Sequence, residues 1–353
     1  MTLNPADPRT AAATGMASFL ADVAPDATIA VAAHFDADGL AAAAILTRAL
    51  RNAGRIAEPV IVGKAQTPWD EDFGDRLRRL NPGGLILADL GTRAEPVLAD
   101  VSTLIVDHHR PTGTSPGAIT LSGHNLDPEP TSALIAWWAT TALGDQGDLL
   151  WLAALGLIGD MAETAGFPEL AEAQTRWGKT ALRDAVSLVN APRRTAAADA
   201  GPALSLLLAG EGPKAITKGE GADARALVAA KAQVRDAVEA ARRVPPRIAG
   251  DVALLLFASP CQIHPLIAQQ WRGRLRDKIV IAANSGYRPG WVHFAARSAT
   301  GRDLLAFLAE HRPDGADGRY GNGHAQATGG ALPVEIWNRF VSGLGLPEGQ
   351  VPA

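Results

Sequence analysis

The sequence predicts an α/β protein in which an N-terminal parallel sheet is followed by a helical connector and a smaller α/β unit. Three observations predict it. Short apolar runs without polar alternation stand at 28–33, 85–88 and 103–106, with helical stretches among them. Strands buried on both faces read this way, and parallel sheets covered by helices produce them. From 170 to 245 the chain is alanine-rich with little strand signal, and a second group of apolar runs begins at 251.

The elements follow in order. Residues 1–15 are rich in Ala, Pro and Thr and read as a mobile terminus. After the first strand, 39–50 reads as a helix. The turn Asn81-Pro82-Gly83-Gly84 introduces the second strand. The stretches 132–143 and 148–159 are apolar on all sides and read as buried helices. Charges within 222–243 are spaced as on a solvated helix face, and Pro245-Pro246 ends that helix. Runs at 251–257, 278–283 and 290–296 read as strands, 301–311 as a helix, and Gly321-Asn322-Gly323-His324 as a glycine-rich loop, with Gly329-Gly330 following. The chain of 353 residues thus divides into 1–190, a connector at 191–246, and 247–353.

Composition narrows the class. Apolar residues make up 47% and charged residues 20%, an ordinary globular balance. The single cysteine, Cys261, excludes a disulfide within the chain and suits a reducing compartment; beside His264 it reads as a core thiol rather than a metal ligand. The longest apolar runs reach about half a membrane span, and no basic segment precedes the apolar stretch at 16–24. The expectation is a cytoplasmic protein with no membrane partner. The net charge of −4 does not call for a polyanion, yet residues 231–302 hold twelve Lys or Arg against four Asp or Glu.

Each of the first three strands is followed by acid: His34-Phe35-Asp36-Ala37-Asp38 after the first, Asp89 after the second, Asp107-His108-His109 after the third. Parallel α/β sheets bind ligands outside the carboxyl ends of their strands, so these groups should converge. Any one aspartate there is ordinarily a helix cap or turn residue. Clustered carboxylates, however, need a compensating cation, and carboxylate mixed with imidazole suits Mn²⁺ while tolerating Mg²⁺ or Co²⁺. Asp160 ends an apolar helix, where the helix dipole and the apolar surroundings both disfavour a bare carboxylate.

These motifs together resemble the DHH/DHHA1 phosphoesterases. Asp107-His108-His109 resembles the signature that names the family. The segment from His34 to Gly39 resembles the first motif, Leu87-Ala88-Asp89-Leu90-Gly91 the second, and Gly159-Asp160 the fourth. Gly321-Asn322-Gly323-His324 with Gly329-Gly330 resembles the DHHA1 glycine motif, with Asn322 where that motif has glycine, and Arg297-Ser298 resembles that domain's substrate-contacting strand end. The form Asp36-Ala37-Asp38-Gly39 is nearest to RecJ-type single-strand exonucleases. No counterpart of full-length RecJ's OB domain is evident, which argues against processive digestion of long DNA.

The resemblance implies a DHH domain, a DHHA1 domain and an active site in the cleft between them. It implies two divalent cations, Mn²⁺ first. Asp36 and Asp89 with His34 would hold one; Asp38, Asp89, His108 and Asp160 the other. Asp107 would orient a neighbouring histidine and His109 would meet the scissile phosphate or its leaving oxygen. Gly321, Gly323, His324, Arg297 and Ser298 would bind substrate. The implied activity is hydrolysis of single-stranded DNA or RNA, or short oligonucleotides, to mononucleotides with 5′-3′ polarity. The alternatives are a phosphodiesterase of cyclic or linear dinucleotides or nucleoside bisphosphates, and an inactive single-strand-binding module.

Overall fold

The computed structural model describes residues 3, 6–64 and 66–352, with Asn322 by its backbone only. It separates into two compact units, one formed by residues 1–193 with 198–229 and the other by 194–197 with 230–353. The first contains α1 (Pro8–Ala21), β1 (Thr28–Ala33), α2 (Ala37–Asn52), β2 (Ile56–Ile61), α3 (Glu71–Arg78), β3 (Gly84–Ala88), β4 (Ser102–Asp107) and β5 (Ile119–Ser122). Helices α4 (Ser132–Thr140), α5 (Leu150–Gly159), α6 (Pro168–Trp177), α7 (Lys179–Val189), α8 (Gly201–Ala209) and α9 (Lys214–Thr217) follow. The long helix α10 (Ala222–Ala241) runs across the division between the units.

The five strands form one parallel sheet in the order β2-β1-β3-β4-β5. Its inner strands alternate between two cores. Ile29, Val31 and Ala33 of β1, Ile86 and Ala88 of β3, and Leu104 and Val106 of β4 pack with the residues of α1, α2, α4 and α5. Ala30, Ala32, Leu85, Leu87 and Ile105 face the other way, with Phe73 and Leu77 of α3. This double burial is why the three runs lack polar alternation. The chain steps from β1 outward to β2 and then back past β1 to β3, so the switch in strand order falls at the carboxyl ends of β1 and β3, where α/β sheets bind ligands.

Helix α2 is buried almost all round. Ala41, Ala42, Ala43 and Ala44 have no exposed surface, and the helix packs on α4, α5 and α8. Small side chains let these neighbours approach closely. This fixes the amino end of α2, with Asp36 at its cap, against the sheet.

The second unit contains β6 (Arg247–Ala249), β7 (Val252–Phe257), α11 (His264–Arg272), β8 (Ile279–Arg288), β9 (Trp291–Ser298), α12 (Leu304–Glu310), β10 (Tyr320–His324), β11 (Ala327–Pro333) and α13 (Val334–Gly343). Its strands form one sheet, β10-β11-β9-β8-β7-β6, antiparallel except between β7 and β8. Cys261 is buried, as its sequence context suggests.

Two expectations are corrected. The terminal segment is a helix from Pro8, capped by the Asp7 side chain and tied to buried Glu169 by Arg9 at 2.8 Å; residues 1, 2, 4 and 5 lie outside the described residues. The glycine segment 321–324 is strand β10, paired with β11. A β-carbon at Gly329 would lie 2.3 Å from the Phe294 carbonyl oxygen, so strand packing itself requires that glycine. Among the described residues no helix is long and apolar enough to cross a membrane.

Ala42→Leu should lower unfolding free energy by about 1–3 kcal/mol, the usual effect of overpacking a filled core. Urea melts of the metal-free protein measure this; an unchanged midpoint would show that α2 has room the structure does not display.

Candidate metal centre

Seven side chains from the strand ends and α5 gather at one place in the first unit. His34 follows β1. Its Nδ1 lies 3.1 Å from Asp36 Oδ2 and 3.6 Å from Asp89 Oδ2. Asp89 follows β3 in the left-handed conformation, φ 62°, which aspartate tolerates better than most residues. His108 follows β4; its Nε2 is 3.2 Å from Asp160 Oδ2, 3.6 Å from Asp89 Oδ1 and 3.9 Å from Asp38 Oδ2. His109 Nδ1 is 3.7 Å from Asp89 Oδ1.

Three triads have ligand atoms within 4.8 Å of one another: His34-Asp36-Asp89, Asp38-His108-Asp160, and Asp89-His108-His109. Asp89 and His108 each belong to two of them. All six residues that the sequence suggested as metal ligands are therefore brought together. The donor set is carboxylate oxygen with imidazole nitrogen, which suits Mn²⁺ and related divalent ions. His108 Nε2 is buried among three carboxylates, yet none of these contacts has hydrogen-bond geometry. An acceptor-rich pocket around an unbonded imidazole nitrogen is what a cation-binding arrangement requires.

Local structure explains each position. Asp36 caps α2 through the Gly39 N–H at 3.1 Å while its second oxygen meets His34 and Arg193, the latter at 3.1 Å. Capping and ligation are thus compatible in this residue. Asp38 is fully buried and accepts from the backbone N–H groups of Ser132 at 2.8 Å and Ala133 at 2.9 Å, at the positive end of α4. Ser132 Oγ donates to Asp89 Oδ1 at 3.0 Å. Helix α5 comes so near that a β-carbon at Gly156 would lie 2.2 Å from Asp38 Oδ1.

Asp107 has a different task. It belongs to none of the triads. Its carboxylate accepts from the N–H groups of Gly91 and His109, each at 2.6 Å, and lies 3.0 Å from His109 Nδ1. It ties the loops after β3 and β4 together and orients the half-exposed His109 ring. Ser132, Gly156 and Arg193 escaped sequence reasoning, as did Glu129, whose carboxylate lies 3.6 Å from both His108 Nδ1 and His124 Nδ1.

The electrostatics follow from crowding. Burial pulls His34 down, but Asp36 and Asp89 outweigh it and raise its pKa to about 10. Burial likewise opposes His108, which Asp160, Asp89 and Asp38 raise to about 12. The hydrogen bond to Asp107 raises His109 to about 9. Burial, then Asp89 and Asp160, push Asp38 well up, and burial also raises Asp160. For Asp36 and Asp89 burial acts upward as well, but cationic neighbours win and both are lowered: His34 and Arg193 for Asp36, His108 and His34 for Asp89. Without metal, the acidic cluster is balanced by protons.

Beside the cluster is a pocket of about 430 Å³, bounded on this side by His34, Asp36, Asp89, His109 and Asp160. In the second unit, Arg297 donates to the carbonyls of Ala296 at 2.9 Å and Thr328 at 3.2 Å. Ser298 is buried, its hydroxyl 2.9 Å from Thr300 Oγ1. Gly321 and Gly323 lie in β10 with positive φ, and His324 at its end is exposed.

No protein-family model matches the sequence, and no curated protein matches it. Solved structures do. An exonuclease RecJ bound to manganese is similar over 97% of this chain and 95% of its own, with TM-score 0.65 and 21% identity. RecJ from Thermus thermophilus in complex with Mn²⁺ gives TM-score 0.69 and 21% identity over 97% of this chain; the chain spans 55% of that protein's length. The DHH domain of a member of the s1p family of ribosomal proteins gives TM-score 0.68 and 13% identity, over 98% of this chain and 92% of that one. The DHH/DHHA1 fold is shared with all three.

Metal ligation needs neutral imidazole and ionised carboxylate. Mn²⁺ uptake at pH 7 should therefore expel one or more protons, read from calorimetry in buffers of different ionisation enthalpy. Heats independent of buffer would contradict the placement of metal among these raised histidines.

Proposed function

We propose that this chain is a DHH/DHHA1 phosphodiesterase that hydrolyses single-stranded nucleic acid or short oligonucleotides to mononucleotides, as a RecJ-like 5′-3′ exonuclease acting in the cytoplasm. The observation that carries the reading is the meeting of His34, Asp36, Asp38, Asp89, His108 and Asp160 around a buried imidazole nitrogen without a hydrogen bond. The fold shared with RecJ structures holding Mn²⁺ supports it.

On this proposal two divalent cations, Mn²⁺ first, would be resident: Asp36, Asp89 and His34 would hold one and Asp38, Asp89, His108 and Asp160 the other. When bound, they supply Lewis acidity and an acidified water at neutral pH. The protein's own groups do the rest. Asp89 belongs to two of the three triads, one with His34 and Asp36 and one with His108 and His109, and would lend a ligand to each cation. Asp107 lies 3.0 Å from Nδ1 of His109, so Nε2 is the ring nitrogen left to meet the departing oxygen as a proton donor. The Ser132 and Ala133 amides hold Asp38 in position, and Gly156 leaves its carboxylate room. In the second unit, Arg297, Ser298, Gly321, Gly323 and His324 are the proposed phosphate-binding groups, through backbone N–H and charge-assisted hydrogen bonds.

Asp89→Ala should reduce turnover of a 5′-labelled oligonucleotide with Mn²⁺ by more than about 100-fold, beyond what loss of an outer-shell metal contact costs. Near-normal activity would contradict the shared ligand. Chelation should abolish activity and Mn²⁺ restore it. A length series in DNA and RNA tests the substrate: preference for dimers over longer strands would move the reading to a dinucleotide phosphodiesterase. His324→Ala should raise KM with kcat little changed; a lowered kcat at constant KM would remove His324 from substrate binding.

A further inference from the structure

The pocket beside the metal-type cluster has a second set of lining residues that the proposed chemistry does not use. Trp69, Arg93 and Arg110 line the same 430 Å³ space as His34, Asp89 and His109. Trp69 precedes α3 and is half-buried. Its Nε1 donates to the Glu95 carbonyl at 2.8 Å, which fixes the indole edge. The Arg93 guanidinium lies 4.2 Å from the ring centroid, a cation–π contact that holds the ring and adds positive charge to it. Arg110, directly after His109, is exposed and lines the pocket.

An anchored aromatic ring, two cations and a cluster of metal-type ligands in one pocket of this volume suit a ligand that is planar at one end and anionic at the other. We propose that this pocket receives one nucleotide unit: its base packs against Trp69 and Arg93, and its phosphate meets Arg110 beside the metal cluster. The inference rests on the phosphodiesterase reading for its biological sense and deepens it. The terminal nucleotide is recognised by its base as well as by its phosphate. Stacking tolerates any base, because every base has a π-face, so the pocket distinguishes nucleotides from sugar phosphates rather than one base from another.

The test is equilibrium binding of AMP and of ribose 5-phosphate to the Mn²⁺-loaded protein. Wild type should bind AMP roughly 10-fold or more tightly than ribose 5-phosphate, the order expected of one base–aromatic stack. Trp69→Ala should remove that difference, and Trp69→Phe, which keeps a flat ring, should retain most of it. Arg110→Gln should weaken both ligands alike. Equal binding of the two ligands by wild type, or discrimination that survives Trp69→Ala, would overturn the proposal. Binding is read without turnover, so the two readings fail separately. Discrimination without hydrolysis of any phosphodiester would sink the enzyme assignment and leave the nucleotide pocket standing. Hydrolysis without discrimination would do the reverse.

Discussion

Everything in the first unit answers to one electrostatic problem. Four carboxylates, from Asp36, Asp38, Asp89 and Asp160, are drawn together at the ends of parallel strands and the end of α5, with two of them almost wholly buried. Such a group is tolerated only with positive charge among it. The protein supplies part of that charge from His34, His108 and Arg193, and part as the positive end of α4 aimed at Asp38. The remainder is charge that a divalent cation could supply. A cluster built purely for stability would have been better served by apolar residues of similar volume.

The packing beneath the site is what makes the arrangement rigid. The alanine-rich helix α2 and glycine at 156 bring α4 and α5 within reach of Asp38, and the parallel strands fix His34, Asp89 and His108 in register. Asp107, buried and committed to two backbone amides, joins the loops after β3 and β4. Loops tethered in this way lose less freedom when a ligand binds, which is the usual benefit of a preorganised site.

Much of this was legible in the sequence, and the exceptions have physical causes. Strand β1 could be read to the residue because both its faces are buried. Strand β2 could not, because it is an edge strand with Glu58 and Pro59 in its middle and alternate residues exposed. Strand β10 reads as a loop in the sequence because glycines carry no periodicity; pairing with β11 at the sheet edge, not local preference, brings it into the sheet. Helix α1 did carry a signal in Asp7-Pro8, a cap followed by proline in the first turn, which its Ala and Thr content concealed. The residues of the cluster were readable because Asp36, Asp38, Asp89 and His108 come soon after apolar strands and Asp160 ends an apolar helix. Ser132, Gly156, Arg193 and Glu129 were not, since they come from segments whose approach to the strand ends is decided by tertiary packing alone.

The most direct measurement of the central claim is anomalous diffraction from crystals soaked in Mn²⁺. The account predicts two peaks in the first unit, both within coordination distance of Asp89, with His34 and Asp36 at one and Asp38, His108 and Asp160 at the other. No anomalous signal at these side chains under saturating Mn²⁺, or carboxylates turned apart with no ion among them, would contradict it.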